Sequence, residues 1–152
     1  MHCRSSGGIW LQAASRSQTY SWSMGIARTL GRQLLAAIFI VSGLEVLAKP
    51  EGRAKAAKPV VDAVADVVPV APRDPVTAVT VNAMVHVGAG TMLAAGILPR
   101  LAALALATSM VPTTLAGHRF WEIEDPAQRG QQRVHFLKNT AILGGLLVVA
   151  LD

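Results

Sequence analysis

The chain has 152 residues, a formal net charge of +5, 52% apolar residues and only 15% charged ones. Soluble domains carry about 25% charged residues, so the composition argues against a soluble enzyme, a disordered tail and a nucleic-acid reader. It points to an integral membrane protein with little mass outside the bilayer. The bases Arg28, Arg32, Arg73, Arg100, Arg119, Arg133 and Lys138 fall where apolar segments meet polar ones, and they read as headgroup anchors and topology signals.

Residues 1–25 lack hydrophobic periodicity and read as a disordered or mis-assigned extension, with Met24 as an alternative start just before a basic, then apolar, segment. The single cysteine, Cys3, lies in that extension and cannot form an intrachain disulfide or a paired-cysteine metal site.

Residues 26–152 read as one all-α domain, a four-helix bundle integral to the membrane. A spanning helix needs about 20 mostly apolar residues, and four segments approach this: Ile26–Ala48, Pro75–Leu98, Leu101–Gly117 and Val134–Leu151. Glu45 beside Val46-Leu47-Ala48, and Pro50 shortly after, make the first a poor signal-peptide cleavage site. Between the first two spans, Val60, Val61, Val64, Val67 and Val68 recur at helical spacing, with Lys58 and Asp62 four apart. This predicts an amphipathic interfacial helix, with Pro59 in its first turn and Pro69 as its stop, lying on the membrane or capping the bundle. The second and third spans join at Pro99-Arg100 as a tight antiparallel hairpin, which implies up-down topology. The long connections carry Lys49, Arg53, Lys55, Lys58, Arg73, Arg119, Arg129, Arg133 and Lys138. The opposite side carries Arg4, Arg16, Arg28, Arg32 and Arg100, so the positive-inside rule puts the long connections in the cytoplasm.

Ionisable groups at membrane depth need a partner or a purpose. By direction of travel, Glu45, His118 and Lys138 gather at one end of the bundle, and His86 lies about 16 Å into the second span at 1.5 Å per residue. Asn82 and His86 share a face at i,i+4. They form either a packed pair bonded to a neighbouring helix or a site for a ligand or proton. Glu45 and Lys138 form either an ion pair between spans one and four or a proton-handling pair. Pro112 interrupts span three, where Ser109, Thr113 and Thr114 can re-satisfy backbone groups. The third connection, with Arg119, Trp121, Arg129 and Arg133 near Glu122, Glu124 and Asp125, is either a solvated loop or a docking surface. No ligand set for a metal and no catalytic motif is apparent, so no catalytic activity of the chain alone is expected.

Gly31-Arg32, the run to Ser42-Gly43-Leu44-Glu45, His86-x-Gly88, Leu93-Ala94-Ala95-Gly96, Arg100 to Leu104, His118-Arg119-Phe120-Trp121, and Phe136-Leu137-Lys138-Asn139 leading to Gly144-Gly145-Leu146-Leu147 together resemble the DoxX family. The resemblance covers residues 26–151 and implies a small four-span protein of the cell (plasma) membrane. Where family patterns favour a Lys near the end of span one, this chain has Glu45. The resemblance also implies a subunit that anchors or organises redox or oxidant-defence enzymes, such as a superoxide dismutase or a sulfurtransferase. Its alternative is a quinone-linked oxidoreductase subunit of the thiosulfate:quinone type, with quinone as cofactor. A small-solute permease is a third reading, resting on the kinked span and the buried polar groups. Expected partners are membrane lipid, such soluble enzymes or further copies of the chain, and not nucleic acid.

Overall fold

Apolar stretches of this length fold as helices because the bilayer core offers no other partner to backbone amides. A computed structural model describes the backbone of residues 7–152 and the side chains of residues 25–152. The readings of Cys3 and Arg4 lie outside the described residues, as does the side chain of Arg16. The helices are α1 (Gly7–Ala48), α2 (Glu51–Val67), α3 (Pro75–Ala95), α4 (Pro99–Gly117) and α5 (Pro126–Leu151), with a 3-10 turn at Phe120–Glu122 between α4 and α5. Four segments are long and apolar enough to span: Gly25–Ala48, Pro75–Ala95, the Pro99–Glu122 segment that contains α4, and Pro126–Leu151. The chain is thus an all-α, multi-span integral membrane protein.

Several boundaries differ from the sequence reading. Helix α3 ends at Ala95, not Leu98. Gly96 takes φ 70°, its amide and that of Ile97 bond back to the Leu93 and Met92 carbonyls, and Leu98 is also left-handed at φ 45°. The hairpin turn is therefore Gly96–Leu98, and Pro99 opens α4 instead of closing α3. Helix α5 starts eight residues before the expected Val134, because the Asp125 carboxylate accepts the Gln128 amide at 2.7 Å and caps it. Helix α2 starts at Glu51, which puts Pro59 in its interior. Its end matches expectation: Val68 is extended before Pro69.

The spans pack in the order α1, α3, α4, α5, and α1 touches α5 only over a short stretch. The core is small and close-packed: Ala36 and Phe39 of α1, Ala89 and Leu93 of α3, Ala102, Ala103, Leu106, Ala107 and Met110 of α4, and Leu146 of α5. Gly43 and Gly90 set the α1–α3 approach. A Cβ on Gly43 would lie 2.8 Å from Val87 Cγ2 and 3.0 Å from the Ala83 carbonyl oxygen, and one on Gly90 would lie 3.0 Å from Ile40 Cγ1. At the hairpin end, Asp152 pairs with Arg28 at 3.0 Å and its carbonyl accepts from Arg100 at 3.0 Å.

At the other end α2 caps the bundle, packing on α3 and α4. Its buried residues are Ala54, Ala57 and Ala65, not the valines. Val60 and Val61 are half-buried, and Val64 and Val67 are exposed. The expected Lys58–Asp62 pair forms at 2.8 Å, and Arg73 reaches back to Asp66 at 3.3 Å.

Candidate functional site

Helix α3 places Asn82 and His86 one turn apart, Asn82 toward α4 and His86 against α1. Asn82 Nδ2 donates to the Thr113 hydroxyl at 2.9 Å and lies 3.5 Å from His86 Nε2. Thr113, one residue past Pro112, donates in turn to the Ser109 carbonyl at 2.9 Å. His86 is 6% exposed and meets the Phe39 ring edge-on, with centroids 5.2 Å apart. The other imidazole nitrogen, Nδ1, has no hydrogen-bond partner among the described residues. Arg32 Nε is a sealed polar side-chain atom without a partner among those residues, and His86 borders an open space.

That space is a cavity of about 320 Å³ bounded by the end of α1, the inner side of α2, the first half of α3 and the last turns of α4. Its polar lining is Ser42, Arg53, Asn82, His86 and Thr113, and the rest is mostly valine and alanine. Such a concave, mostly apolar space with a few convergent polar groups has the form of a small-molecule site. The Asn82–His86 pair was legible from its spacing. Ser42 and Arg53 were not singled out, although Arg53 stands on the stripe Arg53, Ala57, Val60, Val64 of α2, a cation on the inner side of an amphipathic helix.

The remaining polar residues do not join this cluster. Glu45 and Lys138 are both exposed and make no ion pair, among the described residues, with each other. Helices α1 and α5 touch where Leu35 meets Gly145 and where Arg28 meets Asp152, away from the capped end where Glu45 and Lys138 stand. Lys138 Nζ instead lies 3.5 Å from His135 Nδ1. His118 Nδ1 donates to Gln132 Oε1 at 2.6 Å and its ring stacks on His135 at 5.3 Å. His135 and Gln132 were not anticipated, though both lie within reach of His118 once α5 begins at Pro126. Among the described residues no cluster of three His, Cys, Asp or Glu could hold a metal ion.

The connection between α4 and α5 is held from several sides. Arg119 Nε donates to the Leu115 carbonyl at 2.9 Å, and its guanidinium pairs with Glu122 at 3.2 Å. Arg129 Nε donates to the Ile123 carbonyl at 2.7 Å. Phe120, Trp121 and Phe136 make mutual edge-to-face contacts with centroids 5.2 to 6.0 Å apart. Two of the expected docking arginines, Arg119 and Arg129, thus spend their hydrogen bonds on the connection itself. Trp121, 52% exposed, and Arg133 remain on its surface.

Comparison with curated proteins and with solved structures finds no match. The family model described as DoxX matches residues 27–119, which takes in the spanning part of α1, the cap α2, α3, α4 and every residue of the cavity. On that match, over more than half of its length, the chain belongs to the DoxX family.

Proposed function

We propose that the protein is a membrane subunit, seated in the cell membrane, that anchors or organises soluble redox or oxidant-defence enzymes there. The reading is carried by the connection between α4 and α5. A short 3-10 turn, held by the hydrogen bonds of His118, Arg119 and Arg129, presents a half-exposed Trp121, and Glu124 after it and Arg133 early in α5 are exposed charges. A surface ordered before binding loses little entropy on docking. Tryptophan and arginine are the residue types most often found at the energetic centre of interfaces. The partner class is that implied by family membership, soluble enzymes such as a superoxide dismutase or a sulfurtransferase.

The test is photo-crosslinking from positions 121 and 133 in native membranes. Adducts with one soluble redox enzyme at both positions are expected. Adducts with lipid alone at both positions would make Trp121 an interfacial anchor and overturn the reading.

A further inference from the structure

The cavity lies under α2, on the side that faces α3 and α4. Helix α2 packs on α3 and α4 and buries Ala54, Ala57 and Ala65, and Ala57 lines the space with the larger Val60, Val61 and Val64. Pro59 stands inside α2 and Pro112 lines the opposite wall.

The charge around it is uneven. On α2 and the following connection, Lys58 and Arg73 are matched by Asp62 and Asp66. Arg53 lines the cavity, is exposed, and makes no ion pair among the described residues. The nearest acid in sequence, Glu51, is two positions away and so on another face of the helix. A residue that lines a cavity and is also exposed stands at its mouth. There the cation meets an apolar interior with a polar floor of Ser42, Asn82, His86 and Thr113. Val81 and Val64 also line the space and are 40% and 37% exposed, so part of its mouth is apolar.

We propose that this cavity takes an amphiphilic anion from the membrane, a single-chain carboxylate whose apolar body lies between α2, α3 and α4 and whose charged group meets Arg53. The space, about 320 Å³, lies at the lower end of the roughly 300–1,000 Å³ of small-molecule clefts, a size that suits one short chain. An oxygen substituent on the inner end of the body would find the unpartnered Nδ1 of His86. A neutral occupant such as a quinone would leave the guanidinium unanswered. The inference is independent of the docking reading, since no residue from 118 to 133 lines the cavity.

The experiment is direct binding of labelled decanoate to the whole protein in nanodiscs of zwitterionic lipid, with decan-1-ol and decyltrimethylammonium as neutral and cationic counterparts. Saturable decanoate binding is expected. Arg53→Gln should weaken it about tenfold, the scale of one charge-assisted hydrogen bond, and Arg53→Lys should largely restore it. Decan-1-ol binding should not respond to Arg53→Gln. Val60→Trp, which fills the space from the α2 side with Arg53 in place, should abolish both. Val61→Phe is a second filling variant, and circular dichroism in the same discs shows that each variant is folded. Four results would each overturn the proposal: decanoate uptake that never saturates, binding indifferent to Arg53→Gln, equal binding of decyltrimethylammonium, or tighter binding of a decyl-substituted quinone that does not depend on Arg53.

Discussion

Asn82 of α3 donates to the hydroxyl of Thr113 on α4 at 2.9 Å, one residue past Pro112, which lies inside α4. The bond ties the two helices at the floor of the cavity and fixes the side of α3 on which His86 stands. Interhelical hydrogen bonds in membranes contribute about 0.5 to 2 kcal/mol. Asn82→Ala and Thr113→Val are each expected to lower stability by that order. The double variant should cost less than their sum. Equilibrium unfolding in mixed micelles reads the coupling, and strict additivity would show that the bond contributes nothing.

Gly43 lies where a Cβ would meet the Ala83 carbonyl oxygen at 3.0 Å, and backbone cannot rotate aside. Gly43→Ala should therefore push α1 off α3 and cost about 1 to 3 kcal/mol, the usual range for overpacking. Gly31→Ala on the same helix meets nothing within 4 Å and should be neutral or slightly stabilising. Thermal midpoints in one detergent compare the two, and equal effects would place the close approach elsewhere.

Asp74 caps α3 from outside the span, accepting the Thr77 hydroxyl at 2.7 Å and its amide at 2.8 Å. Those bonds hold its carboxyl below the ordinary aspartate range. A depressed folded-state pKa stabilises fully above the unfolded value and is lost as the pH falls through the folded one. Stability should thus decline from the ordinary aspartate range downward. Asp74→Asn keeps a capping oxygen but no titration, so its midpoint should fall less between pH 5 and pH 3. Parallel curves for the two proteins would remove Asp74 from the acid response.

The α4–α5 connection should loosen when its internal bonds are removed. His118→Ala and Arg129→Ala are expected to speed proteolysis between Gly117 and Pro126 severalfold. Arg133→Ala, whose side chain holds nothing in the connection, should not. Cleavage rates in intact discs report this, and equal rates for all three would mean the connection is not fixed by these side chains.

The spans were legible because twenty apolar residues in a row have few alternatives. Their ends were less so. The start of α5 depended on Asp125 reaching Gln128, and the turn after α3 on Gly96 and Leu98 both adopting positive φ, local choices that hydropathy does not register. Asn82 and His86 were legible from i,i+4 spacing, and Asn82's partner Thr113 only as a residue near a proline. The expected Glu45–Lys138 pair failed because counting residues along spans gives depth but not direction. Helix α1 packs along α3 and meets α5 only near Leu35–Gly145 and Arg28–Asp152, away from the end where Glu45 and Lys138 stand. Arg53 was counted among the basic residues of a connection, and its place at a cavity mouth follows only once α2 is seen packed on α3 and α4.

The most direct test of the anchoring role is a mild-detergent pull-down of the tagged protein from its own membranes, with mass spectrometry of the proteins and extracted small molecules. The wild-type chain should retain a soluble redox enzyme in stoichiometric amount, and Trp121→Ala with Arg133→Glu should release it while the bundle stays folded. A wild-type chain that purifies with no such enzyme, or a double variant that keeps it in full, would contradict that role.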